Sequence, residues 1–222
     1  MNEGHVSLTY QQYTPDGVST LQSNIAIEAP VSLTVNGKVW LTFQCSPFEI
    51  EALGVGFLYN EGFIQSIDEV ENIHVCEQKD NVDVWLNHSV QKPETWLRTS
   101  ACHGGTSSVV IEREKFSPVV NHASMKPEQI FNLLEQFLKK QAPHSESGGV
   151  HTSALADGDT QLFQVTDIGR HNTFDKIAGR ILMDKLVIQT PVLISSGRIS
   201  SDMLQKSVKM QAPFVISMRS AS

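Results

Sequence analysis

A cysteine that closes a strand-like run and is followed at once by a histidine and two glycines is placed for chemistry. The stretch WLRTSACHGGTSS, residues 96–108, has this form, with Cys102 at its centre. The thiolate is the reactive form of cysteine, and nearby positive charge or N–H donors bring the thiol below its usual pKa of about 8.5. His103 adjoins Cys102, Arg98 lies four residues back, and Gly104-Gly105 is free to fold into an anion-binding nest. The bland alternative is a free cysteine that merely ends a strand. Spacing excludes several chemistries. A Cys-x5-Arg phosphatase or rhodanese loop needs arginine at 108, where this chain has Ser108. Gly105 stands where a Cys-x-x-Cys pair needs its second thiol, so dithiol redox and half of a zinc site are out. A cysteine–histidine pair stays open, because His103, His122, His144, His151 and His171 are all available. Cys45 and Cys76 each fall in an alternating run and read as buried filling.

A second group of residues lies further on. TDIGRHNTFDK sets Gly169, Arg170 and His171 between a strand and a helix, with Asn172 as the expected cap. ISSGRISSDML repeats the arrangement with Ser196, Gly197 and Arg198. Either turn alone would read as a plain connection. The pair, at the carboxyl ends of parallel strands, would face one crevice where helix N-termini and arginines favour phosphate or pyrophosphate. ESGGVHTSAL adds His151, a residue type more often structural than ligating at the start of a strand. Thr152 and Ser153 follow it and no paired cysteines exist, so the ligand set of a zinc deaminase is missing. GVGFLY at 54–59 lacks the third glycine of a dinucleotide fingerprint and falls inside a helix, so it carries no nucleotide meaning.

These residues need elements to hold them. Up to about residue 117 the chain reads as hairpins: one turning at Pro15-Asp16-Gly17, one at Asn36-Gly37, and one across ENIHVCEQKDNVDVWLNH. A single helix interrupts them in SPFEIEALGVGFLYNEGF. Ser46 is its expected cap, Pro47 its first position, Glu49 the return half of a capping box and Gly62 its end. From 118 onward come an amphipathic helix, KPEQIFNLLEQFLKKQA, a hairpin turning at Asp157-Gly158, and then alternating helices and strands. That alternation predicts parallel strands with right-handed crossovers, and the hairpin makes the sheet mixed. The expected organisation is therefore α+β to α/β: a hairpin-rich domain over 1–117 ending in the cysteine loop, and a mixed-sheet, three-layer α/β domain over 118–222.

Composition narrows the function further. The 222 residues carry a net charge of −7, so nucleic-acid binding would need a local basic patch, and none is visible. No run approaches the roughly 18 apolar residues of a membrane span. The opening MNEGHVSLTY lacks the regions of a signal peptide, and three widely spaced cysteines do not make a disulfide framework. A reduced, cytoplasmic protein is the expectation.

Six stretches together resemble the formate dehydrogenase accessory protein family, FdhD: EAPVSLTVNG, CSPFEIEALGVGFLYNEGFI, RTSACHGG, SGGVHTSAL, DIGRHNTFDKIAGRIL and SSGRISSDMLQKSVKMQAPFVISMRSAS. The resemblance runs in family order from about residue 28 to the end. It implies a sulfurtransferase that takes sulfur from a cysteine desulfurase as a persulfide on Cys102 and passes it to the molybdenum bis(guanine dinucleotide) cofactor of formate dehydrogenase. It also implies a cytidine-deaminase-like second domain, a homodimer and no protein-ligated metal. On this reading Arg170, His171 and Arg198 hold the phosphates of the guanine dinucleotide, with Gly169, Asn172, Ser196, Gly197 and His151 around the same crevice. Two departures stand out. The family loop reads Cys-Gly-x-Cys, whereas here Gly105 replaces the second cysteine, so any persulfide rests on Cys102 alone. Family chains also continue past the position of Ser222, which implies a truncated chain. The alternative reading is a chaperone that binds the cofactor or its guanine nucleotide without sulfur chemistry of its own.

Overall fold

A computed structural model describes residues 5–94, 96–98, 106–108, 119, 123–141 and 149–221. Strands β1 (His5–Thr14) and β2 (Gly17–Ala26) form an antiparallel ribbon of their own around the expected turn. The next hairpin, β3 (Ala29–Val35) and β4 (Lys38–Cys45), turns through Asn36 at φ 49° and Gly37 at φ 74°. Two successive positive φ values are what a two-residue type I′ turn requires, and Asn-Gly adopts them at little cost. With β5 (Val70–Val75) and β6 (Asn81–Leu86) these strands make a sheet in the order β4-β3-β6-β5. Its central pair, β3 and β6, is parallel and its outer pairs are antiparallel. Val31, Leu33, Val35, Val82 and Val84 bury one face beneath helix α1 (Ile50–Asn60).

The start of α1 departs from the expected capping box. Glu49 adopts a left-handed backbone at φ 51° and caps nothing with its side chain, and the helix begins at Ile50. Ser46 is fully buried and serves the second half of the chain instead. Its N–H donates to Asp167 Oδ2 at 3.2 Å, and its Oγ accepts the Ile168 N–H at 3.3 Å. The Ser46 Oγ is committed to the Ile168 N–H and is not free to cap α1. At the other end Gly62, at φ +81°, follows the helix as expected.

The second half contains α2 (Pro127–Gln141), β9 (His151–Asp157), β10 (Thr160–Asp167), α3 (Arg170–Met183), β11 (Pro191–Ser195), α4 (Ser201–Lys209) and β12 (Phe214–Ser217). The sheet order is β10-β9-β11-β12. Strand β9 is antiparallel to both neighbours, while β11 and β12 are parallel across α4. The layers follow from side-chain alternation along the strands. Ala154, Ala156, Val192 and Ile194 pack on Leu133 and Phe137 of α2. On the opposite face Leu155, Val165 and Leu193 pack on Phe174 and Ile177 of α3 and Met203 of α4. This is the mixed α/β architecture expected, with one amendment. Strand β9 lies between β10 and β11, so only β11 and β12 are parallel neighbours. The tight β9–β10 hairpin claims the inner position, and α3 must cross over it.

Two glycines set how closely the halves meet. A Cβ at Gly56 of α1 would collide with the Asp175 carbonyl oxygen of α3, and one at Gly179 would collide with the Ala52 carbonyl oxygen. The helices therefore cross backbone to backbone. The dismissed GVGFLY run owes its second glycine to this contact. Two ion pairs lie beside the crossing. Lys176 meets Asp167 at 2.8 Å with both side chains fully buried, and Lys206 meets both Asp175 oxygens at 2.8 and 2.7 Å. Helix α3 is thus pinned on several sides, and its first turn carries most of the candidate site.

The short strands β7 (Trp96–Arg98) and β8 (Thr106–Ser108) pair antiparallel, with Arg98 opposite Thr106. Cys102, His103, Gly104 and Gly105 fall outside the described residues, as does the expected domain boundary near 117.

Candidate functional site

The strand ends gather the second group of residues in one place. At one edge of the second sheet Asp167 pairs with His151, Ser153 with Ser195, and Ser195 with Ser217. The turn 168–170 leaves β10 there, the turn 196–200 leaves β11, and β9 starts there at His151. A Cβ added to Gly197 would lie 3.2 Å from His151 Nδ1 and 3.3 Å from Arg170 Cβ. The structure therefore brings Arg170, His151 and Gly197 together at one strand end.

Arg170 and His171 are the first two residues of α3, and Gly169 rather than Asn172 is the cap. Asn172 lies a turn too late, because Asp167 Oδ1 accepts the Gly169 N–H at 2.7 Å and fixes the start earlier. The Asn172 amide is spent on structure: its Nδ2 donates to Gln44 O at 2.9 Å and to Asp167 Oδ1 at 2.8 Å. Ser196 is similarly occupied, its Oγ accepting the Thr152 N–H at 2.9 Å.

The two residues at the helix start are buried but unspent. Arg170 is 5% exposed, and its Nε has no hydrogen-bond partner among the described residues. His171 is 3% exposed, and its Nδ1 is likewise unpartnered. A buried guanidinium with no carboxylate is costly unless a ligand anion completes it. Arg198 is exposed beside them.

His171 Nε2 lies 3.1 Å from Ser200 Oγ and 3.5 Å from Asp202 Oδ2. Serine, histidine and aspartate together do not make a nucleophilic triad here. A triad needs its acid and its serine on opposite ring nitrogens, and both groups meet Nε2. Burial, and then the charge of Lys206, push the His171 pKa down to about 4. With the neutral ring's proton assigned to Nε2, where the Asp202 carboxylate favours it, Nδ1 carries the lone pair. Burial and the Arg170 charge lower the His151 pKa as well. Beneath the site, burial opposes the Lys206 charge, but Asp175, Asp202 and Glu61 hold its pKa above the ordinary lysine value.

Sequence reasoning missed Ser200 and Asp202. Both sit in the SSD signal that opens α4, where Ser200 caps the helix, and only the fold shows that this start abuts His171. Of the cysteines, Cys45 is fully buried, and its thiol is pushed up to about 12 by burial and then by Asp167. It is no partner for a reactive loop. Cys76 is not strand filling: it follows β5 at a turn, and its Sγ donates to Asp80 Oδ1 at 2.8 Å. Among the described residues no three His, Cys, Asp or Glu side chains group as a metal site.

Comparison with known proteins adds an independent line. The sequence profile of the FdhD/NarQ family matches residues 26–222. A protein named sulfur carrier protein FdhD from Bacillus subtilis is 30% identical over 211 residues, covering 93% of this chain and 80% of that one. Its namesake from Listeria innocua is 32% identical over 205 residues, covering 89% of this chain and 78% of the other. A crystal structure described as a formate dehydrogenase accessory protein from Desulfotalea psychrophila superposes with a TM-score of 0.82. It covers 98% of this chain and 85% of its own at 23% identity, a likeness of fold.

Proposed function

This chain belongs to the FdhD/NarQ family, and from that premise we propose that it is a sulfur carrier acting in the maturation of formate dehydrogenase. Cys102 is the carrier residue of this reading. Its thiolate attacks the outer sulfur of a desulfurase persulfide, the S–S bond of that persulfide breaks, and the desulfurase leaves as a thiolate. The molybdenum bis(guanine dinucleotide) cofactor, which is cargo and not a resident group, then takes the outer sulfur: the Cys102 S–S bond breaks, Cys102 leaves as a thiolate, and the reduced metal of the cargo supplies the two electrons that bring the sulfur to sulfide. The strand-end site is the cradle for that cargo. The observation that carries this part is the buried Arg170 at the N-terminus of α3, whose Nε has no hydrogen-bond partner among the described residues. Arg170 and Arg198 take phosphate oxygens. His171, neutral and with Nδ1 unspent, takes an N–H or O–H of the nucleotide, a different role from the phosphate contact expected of it. Gly169 and Asn172 fix the turn, Ser196 ties it to β9, and His151 and Gly197 form the wall.

Titration with GDP tests the cradle. A charge-assisted phosphate contact contributes about 1.5–3 kcal/mol, so Arg198→Ala should weaken GDP by about ten-fold or more. Unchanged affinity would remove Arg198 from the phosphate role.

Gly105 in place of a second loop cysteine favours a second reading, a cofactor-binding chaperone with no sulfur chemistry. It predicts that Cys102→Ala still activates formate dehydrogenase in a reconstituted assay. The sulfur-carrier reading predicts loss.

The reading extends to setting and assembly. It places the protein in the cytoplasm, and no described helix is long and apolar enough to cross a membrane. It also makes the protein a homodimer. The support is the β1–β2 ribbon, whose one face exposes Val6, Leu8, Tyr10, Leu21 and Ile25 and whose strands contain no Asp, Glu, Lys or Arg. A lone two-stranded ribbon is marginal in water, and covering that face stabilises it. Light scattering should give twice 24.6 kDa, and Leu8→Glu should give the monomer mass.

A further inference from the structure

Arg219 is absent from the residues the sequence singled out, and the fold places it in the candidate site. The parallel register that sets Ser195 opposite Ser217 continues past both strands to the bridge between Ile199 and Ala221. There the Ile199 N–H donates to Ser220 O at 3.3 Å. The same register puts Arg219 opposite Gly197. Ser217 fixes the placement: its Oγ donates to Gly197 O at 2.9 Å and accepts the Arg219 N–H at 3.0 Å. Gly197 is buried, and His151 and Arg170 close on it to within 3.2–3.4 Å of where a Cβ would sit, so the segment carrying Arg219 lies directly against the wall of the site.

Charge sharpens the picture. Arg198 and Arg219 are both exposed, and neither has an ion-pair partner among the described residues. Two carboxylates of the site are already engaged, Asp202 by His171 and Asp167 by Lys176. In a chain of net charge −7, three arginines with no ion-pair partner among the described residues stand on segments that meet at one strand end. The buried Arg170 lies at the helix start, and the two exposed arginines lie on the adjoining segments.

We propose that Arg219 is a specificity residue of this site. Arg170 binds an inner phosphate at the α3 N-terminus, the exposed Arg198 and Arg219 bind an outer one at the solvent-facing strand end, and the site thereby selects a diphosphate over a monophosphate. The inference rests on the nucleotide-cradle reading and adds to it the class of anion and the residue that reads it.

The test is calorimetric titration of the full chain with GDP, GMP and inorganic pyrophosphate, using wild type, Arg219→Ala, Arg219→Lys and Arg198→Ala. Arg219→Ala should weaken GDP and pyrophosphate by about ten-fold or more and GMP by no more than about two-fold, while Arg219→Lys restores part of the loss. Arg219 is exposed, so an unchanged melting temperature is expected. Wild-type GDP affinity in Arg219→Ala, beside a weakened Arg198→Ala, overturns the inference and leaves the cradle standing. Equal losses for GDP and GMP overturn the diphosphate selection. Absence of both GDP and pyrophosphate binding in wild type overturns the cradle and the inference together.

Discussion

Gly197→Ala is a one-methyl probe of the site. The backbone at 197 lies outside the left-handed region, so alanine meets no conformational penalty there. The added Cβ would sit 3.2 Å from His151 Nδ1, 3.3 Å from Arg170 Cβ and 3.4 Å from Arg170 Cδ. Comfortable carbon contacts begin at about 3.5 Å, so each neighbour must yield by a few tenths of an ångström. His151 is half-buried and can turn. Arg170 cannot follow easily, because its helix is locked by the Gly56–Gly179 crossing and by the Lys176–Asp167 pair. Overpacking of this kind costs about 1–2 kcal/mol, or roughly 2–8 °C in melting temperature for a chain of this size. The displaced guanidinium should weaken GDP by about ten-fold or more. Gly62→Ala is the control. Gly62 has φ +81° with nothing within 4 Å of its Cβ position, so alanine there should cost about 1 kcal/mol of backbone strain and leave GDP affinity alone. Thermal unfolding and calorimetry read both variants. A Gly197→Ala protein that melts within about 1 °C of wild type and binds GDP unchanged would refute the packing reasoning.

Two further outcomes follow from buried charge. An unfolded histidine takes its proton near pH 6.5, while folded His171 resists until about 4, so protonation favours the unfolded chain. Stability should be fully present above pH 6.5 and fall by up to about 3 kcal/mol towards pH 4, and His171→Gln should flatten that slope in denaturant titrations; parallel slopes would contradict this. Lys206→Met leaves the 2%-exposed Asp175 carboxylate without its cation and should cost about 3–5 kcal/mol. Adding Asp175→Asn should recover much of the loss, and a double variant as unstable as the single one would show that the charge is not the cause.

The legible parts of the sequence were those governed by local rules. Asn36-Gly37 and Asp157-Gly158 announce their turns, and Gly62 announces the end of α1. The repeated Gly-Arg turns announce a shared strand end because parallel strands deliver their carboxyl ends to one edge. Several of the misreadings trace to partners far away in sequence. Ser46 looked like a cap and instead serves Asp167 and Ile168. Asn172 looked like a cap and bridges Gln44 to Asp167. Gly56 has no meaning until α3 lies across it. Arg219 enters the site only because β12 runs parallel to β11 and keeps register beyond its end. None of these can be seen in a window of a few residues.

Sulfur carriage itself is tested most directly by intact-mass measurement after incubation with a cysteine desulfurase and cysteine, with Cys102→Ala in parallel. The account predicts a gain of about one sulfur atom per chain, removed by reductant and absent from Cys102→Ala. With Cys45 buried and its thiol held protonated, none of the gain should map to that residue. A wild-type chain that gains nothing, or a Cys102→Ala chain that gains as much as wild type, would contradict the account.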